Sequence, residues 1–197
     1  LVFILFMPAI FFFTAIVKNE IIIAKLTRYW SKLTIYLSFI FPKVDWEEKL
    51  SKKEQYIFCP NHVSTLDIPF ILAVIPIPLQ YIGKSEIAKI PLFGYFYKNN
   101  SVIVDRANRR NAYDAFLKAG EKLKKGINMC IFPEGGIPKE AVFLKKFKNG
   151  PFRLALEHQI PIVPISFLDN KTKFRYHFLT GSPGQLRAVI HPLVETE

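Results

Sequence analysis

A chain of 197 residues is long enough for one domain with a full hydrophobic core and short for two. Its formal charge of +11 directs it toward anionic partners such as phospholipid headgroups, phosphorylated substrates or nucleic acid. The two cysteines, Cys59 and Cys130, exclude a disulfide framework; each sits in an apolar run without C-x-x-C spacing or a nearby His, so buried reduced thiols on a cytosolic face are expected.

From Leu1 to Val17 only Pro8 and Thr14 fall outside the apolar class. No charge precedes this run and no small-residue cleavage site follows it, so it reads as a membrane-associated helix at the lower edge of spanning length. After Lys18-Asn19-Glu20 a second run, Ile21 to Phe41, places apolar residues at 22, 23, 26, 29, 30, 33, 37 and 40, with Lys25, Arg28 and Lys32 between them. That spacing predicts a helix with a basic face, and Tyr29 and Trp30 beside cations suit a membrane interface. Residues 1–41 are thus expected to form an apolar helical pair on a membrane, and residues 42–197 the body of the protein.

Pro42 is expected to end the second helix, with a charged linker from Asp45 to Glu54. Short apolar runs then predict strands at Tyr56 to Cys59, Leu79 to Ile82, Ser101 to Val104, Asn128 to Phe132, Ile162 to Phe167 and Arg187 to His191. Between Arg109 and Lys125 the apolar spacing predicts an amphipathic helix stopped by Gly126, and Asn149-Gly150-Pro151 opens another that runs to about His158. This alternation predicts an α/β fold, a single layered domain whose largely buried mixed sheet is flanked by helices.

Three constellations carry chemistry. In Asn61-His62-Val63-Ser64-Thr65-Leu66-Asp67 a His leaves a strand end and an Asp opens a helix. The carboxylate can fix the tautomer of the ring and leave its second nitrogen free to accept a proton. No G-x-S-x-G elbow accompanies the pair, so the simplest chemistry is direct attack by a substrate hydroxyl that His62 deprotonates. In Ile131-Phe132-Pro133-Glu134-Gly135-Gly136 a strand ends in an acidic residue and two glycines, whose open backbone can receive an anion or oxyanion. In Val104-Asp105-Arg106-Ala107-Asn108-Arg109 a strand end presents Arg106, which can grip a phosphate bidentately; an exposed, solvated arginine is the alternative for it and for Arg109 and Arg110. The other histidines, His158, His177 and His191, lack motif context and are expected at the surface or core edge.

Together, and in this order, these blocks resemble the glycerolipid acyltransferase family that includes the 1-acyl-glycerol-3-phosphate acyltransferases. N-H-V-S-T-L-D looks like its N-H-x-S-x-x-D motif, and Gly83-Lys84 through Val104-Asp105-Arg106 looks like its glycerophosphate-binding block. Phe132-Pro133-Glu134-Gly135 looks like its F-P-E-G block and Val163-Pro164-Ile165 like its short last motif. The resemblance implies acyl transfer from a thioester of coenzyme A or acyl carrier protein to the free hydroxyl of a lysophospholipid, 1-acyl-glycerol-3-phosphate above all. It makes His62 the base and Asp67 its partner. Lys84, Arg106, Glu134, Gly135 and Gly136 become substrate-binding residues, with no metal or organic cofactor. The apolar front beside a basic body points to an anionic membrane, and the lone thiols to its cytoplasmic face. One departure bears on the acceptor: the family usually continues F-P-E-G with Thr-Arg, and here Gly136 and Ile137 stand there. Another lyso-lipid, such as an aminoacyl lipid, therefore stays open. A basic nucleic-acid-binding module is the rival from another class, but no RNP, zinc or helix-turn-helix signature is present. A hydrolase using the same His and Asp is the other rival.

Overall fold

The computed structural model describes residues 2–17, 19–91, 93–105, 107–138, 144–174 and 181–196. Helix α1 (Val2–Phe12) runs into a π-helical turn (Phe13–Val17), and α2 (Glu20–Leu37) follows, its first turn capped by Asn19, whose side chain accepts from the Ile22 N–H at 3.0 Å. The body holds β1 (Ile40–Trp46), β2 (Ile57–Pro60), α3 (Asp67–Val74), β3 (Leu79–Lys84), α4 (Phe93–Asn100) and β4 (Ser101–Val104). It continues through α5 (Arg109–Lys124), β5 (Asn128–Cys130), α6 (Gly150–His158), β6 (Ile162–Phe167), the short α7 (Asn170–Lys173) and β7 (Gly184–Ile190).

The seven strands form one mixed sheet in the order β1-β7-β6-β2-β5-β3-β4, parallel throughout except for the antiparallel β6–β7 pair. Both faces are covered, which is why the central strands read as near-continuous apolar runs. Phe58 and Cys130 pack on one side with Phe70, Ile71 and Leu72 of α3, Tyr97 of α4 and Ile35 of α2. Ile57, Cys59 and Met129 pack on the other with Ala115, Ala119 and Leu123 of α5 and Leu154 and Ala155 of α6. The alternation along β2 is the two-residue repeat of a strand. Both cysteines are free and buried, and burial pushes the Cys59 thiol up to about 12 and the Cys130 thiol well above its ordinary value, so neither supplies a thiolate.

The second helix ends four residues before Phe41. Phe39 turns into the left-handed region at φ 54°, and Ile40–Trp46 is a strand with Pro42 inside it. Pro42 is tolerated because β1 is an edge strand, paired only with β7. Helix α2 buries Ile23, Thr27, Ser31 and Ile35, one residue per turn, and packs on α3; the small polar pair lets the two backbones approach. Phe11, Phe12, Ile16, Ile21, Tyr29 and Tyr36 of the helical pair stay exposed. Among the described residues no helix is long and apolar enough to cross a membrane.

Candidate active site

β2 lies between β5 and β6, and the chain leaving these three strands meets at their carboxyl ends, where open α/β sheets form their sites. From β2 come Asn61 and His62. The Asn61 side chain extends the β2–β6 ladder by one step, its oxygen accepting from the Phe167 N–H at 2.7 Å and its amide donating to the Phe167 carbonyl at 3.2 Å. This fixes the direction in which residue 62 leaves the sheet.

His62 Nδ1 lies 2.8 Å from Asp67 Oδ2. The same oxygen accepts from the backbone N–H groups of Val63 at 2.7 Å and Ser64 at 2.8 Å, and Oδ1 accepts from the Asn170 amide at 2.8 Å. Asp67 is 0% exposed and opens α3. A carboxylate placed there closes the turn from 62 to 67 and meets the positive end of the helix. With its partners all donors, it takes the proton-bearing side of the imidazole. Nδ1–H of His62 donates and Nε2 is left as the acceptor. The ring is held flat against Phe132, centroids 4.0 Å apart and planes 22° apart.

The β5 loop closes the other wall. Glu134 Oε1 accepts from the His62 backbone N–H at 3.0 Å, while Oε2 is buried without a partner among the described residues. Burial, reinforced by the nearby Asp67 carboxylate, raises the Glu134 carboxyl to about 7, against the pull of the His62 N–H and of Lys145. Because the folded protein holds this proton more tightly than the unfolded chain, its contribution to stability is full below about 4.5 and is lost as pH rises to about 7. Glu134→Gln is therefore expected to be more stable than wild type at pH 8, by about 2 kcal/mol, and to lose that advantage at pH 4. Denaturant titrations at the two pH values check this; equal differences at both would mean that Glu134 keeps an ordinary pKa.

The structure brings His62, Asp67 and Glu134 into one hydrogen-bonded set, with Gly135 and Gly136 next in the loop at φ 70° and 152°, where side chains other than hydrogen are strained. Lys84 stands at the carboxyl end of β3, two strands from β2, where its ammonium pairs with Glu86 at 2.9 Å. Arg106 lies outside the described residues. Gly83 has a packing reason: a Cβ there would collide with the Tyr97 hydroxyl. Asn170 and Phe132 were not picked out in these roles from sequence. Asn170 is 103 residues from Asp67, and the only clue to it is a polar residue just past the end of an apolar strand. His191 joins Ser166 (2.8 Å) to Glu47 (3.0 Å), and because Ser166 sits inside β6, paired with Val189 of β7, the trio ties strands together. Among the described residues no group of three or more His, Cys, Asp or Glu side chains converges as a metal site.

The sequence profile of the Acyltransferase family matches residues 42–168, more than half of the chain. The chain belongs to the Acyltransferase family. A relative in Saccharomyces cerevisiae named 1-acyl-sn-glycerol-3-phosphate acyltransferase is 36% identical over 134 residues, 66% of this chain and 44% of that protein. One of the same name in Borreliella burgdorferi is 26% identical over 165 residues, covering 83% of this chain and 66% of that one. The crystal structure of the 1-acyl-sn-glycerophosphate (LPA) acyltransferase PlsC from Thermotoga maritima superposes with a TM-score of 0.76 at 24% identity, over 98% of this chain and 85% of that one, which establishes the shared fold. The chain spans about half the length of the first curated relatives it matches. The Acyltransferase span includes His62, Asp67, Lys84 and Glu134, and Asn170 falls two residues beyond it.

Proposed function

We propose that this member of the Acyltransferase family moves an acyl group from an acyl thioester, acyl-CoA or acyl carrier protein, to the free hydroxyl of 1-acyl-glycerol-3-phosphate, giving phosphatidate. The observation that carries the reading is the His62–Asp67 pair, whose geometry leaves Nε2 as the one ring nitrogen able to accept a proton. His62 Nε2 takes the hydroxyl proton as the acceptor oxygen attacks the thioester carbonyl. The C–O bond forms, the C–S bond breaks, and the proton held on Nε2 passes to the departing thiolate. Asp67 does not move; it stabilises the charged imidazole and keeps it in orientation. Glu134, bonded to the His62 backbone, contributes a wall of the acceptor site, and the acceptor itself is taken from the names of the relatives.

The exposed Phe11, Phe12, Ile16, Ile21 and Tyr29, beside the cations of α2, support docking on an anionic membrane, on the cytoplasmic side in keeping with the free thiols. The test is labelled acyl-CoA supplied alone and then with lysophosphatidate. Acyl transfer predicts labelled phosphatidate and thiol release that depends on the lysolipid; release of free fatty acid at the same rate without acceptor would make the protein a thioesterase instead.

A further inference from the structure

We infer that Lys148 is the cation that seats the acceptor's phosphate. The inference rests on the proposed lysophosphatidate reading and adds a residue to it that none of the motifs contains. Lys148 lies just before α6, at the far end of the connection that begins with the Glu134 loop, and the fold lays it back across that loop. Its backbone N–H donates to the Pro133 carbonyl at 2.8 Å, and its side chain crosses Gly135 so closely that a Cβ there would lie 2.8 Å from Nζ. The φ of 70° calls for glycine here, and its missing side chain leaves the room in which the lysine lies.

Three further observations mark this as a place for an anion. Among the described residues Lys148 has no carboxylate partner, unlike Lys84, Lys122 and Lys124. Lys145 folds back onto the same loop, donating to the Ile137 carbonyl at 3.0 Å, so two ammonium groups bracket residues 135–137. Helix α6 runs opposite to the strands and so begins at the catalytic edge; its first turn holds no acidic residue and the Asn149 side chain makes no capping bond. Positive charge, open backbone and a helix start collect on the wall that also holds Glu134, which bonds the His62 backbone. Ile137 stands where the resembled motif carries an arginine, and Lys148 brings an ammonium to the same loop at Gly135. A lysine acts as a compact point charge on a flexible stem, suited to a phosphate approached from one direction.

The experiment compares wild type, Lys148→Ala, Lys148→Arg, and the double variant Ile137→Arg/Lys148→Ala. Kinetics with lysophosphatidate and with the phosphate-free monoacylglycerol are paired with 31P NMR titration of sn-glycerol 3-phosphate. Lys148→Ala is expected to lower kcat/KM for lysophosphatidate about 10- to 100-fold, mainly through KM, and to leave monoacylglycerol unchanged. Lys148→Arg should keep most of the activity, and the arginine at 137 should restore a large part of what Lys148→Ala loses. Equal losses on both acceptors, no loss on either, or failure of Ile137→Arg to rescue would overturn the inference. If wild type acylates neither acceptor the functional reading fails separately, and the titration still decides: unchanged glycerol-3-phosphate affinity in Lys148→Ala overturns the phosphate seat, whereas at least tenfold weaker binding supports it.

Discussion

His62→Ala is expected to reduce kcat for acyl transfer by about 10²- to 10⁴-fold, the usual contribution of a positioned general base. The loss should appear in kcat more than in KM, because the base acts on the reacting proton and the structure gives it no role in holding the acceptor's phosphate. The protein should remain folded. Among the described residues the imidazole makes one side-chain hydrogen bond, to Asp67, and one ring contact, on Phe132; the His62 backbone N–H that bonds Glu134 survives the change. Removing the ring leaves Asp67 Oδ2 with its two backbone donors and Oδ1 with Asn170. The measurement is single-turnover acyl transfer together with circular dichroism of the same preparation. Near-normal turnover by folded His62→Ala would end the general-base mechanism.

Much of the sheet could be read from local pattern, because its strands are buried on both faces and its helices are amphipathic. Ser101–Val104 and Ile162–Phe167 match their expected bounds, and the helix after Asn108 stops at Gly126, whose φ is 76°. What was not legible depended on neighbours far away in sequence. In isolation Pro42 is a helix stop, and only its place at the sheet edge makes it a residue of β1. The aromatic run Phe93–Asn100 has no plain period, yet forms α4 because Phe96 and Tyr97 find cavities to fill against α1, α2 and the sheet. In the site, His62, Asp67 and Glu134 stand out because polar residues directly follow apolar strand ends or open the next helix. Asn170 and Lys148 did not, since each acquires its role only when β6 lies beside β2 and the start of α6 is laid on the β5 loop. The contrast is physical: a motif reports residues on one turn of chain, whereas a shared carboxylate or an ammonium over a glycine reports how separate segments pack on one another.

Asp67→Ala is expected to cost about 3 to 5 kcal/mol of folding stability, a larger loss than any other single change in the site. The carboxylate is fully buried and is the acceptor for the Val63 and Ser64 N–H groups, the His62 ring and the Asn170 amide. Alanine leaves two backbone donors and one side-chain amide in the core without partners, each costing about 1 to 3 kcal/mol, less whatever a water entering the vacated space recovers. Asp67→Asn separates the charge from the connectivity. Its remaining oxygen can keep the His62, Val63 and Ser64 donors, and its new amide then faces Asn170. Asn170 Oδ1 is buried without a partner among the described residues, so rotating the Asn170 amide turns that contact from donor to acceptor. The turn should survive with a loss of about 1 to 2 kcal/mol, while the imidazolium formed during transfer loses its counter-charge, so kcat falls, though less than in His62→Ala. Urea unfolding of the two variants gives the decisive comparison. If Asp67→Ala unfolds at the same denaturant concentration as Asp67→Asn, the hydrogen-bonded carboxylate does not hold the 62–67 turn, and the turn must be held by the Asn61–Phe167 pairing and the packing of α3 alone.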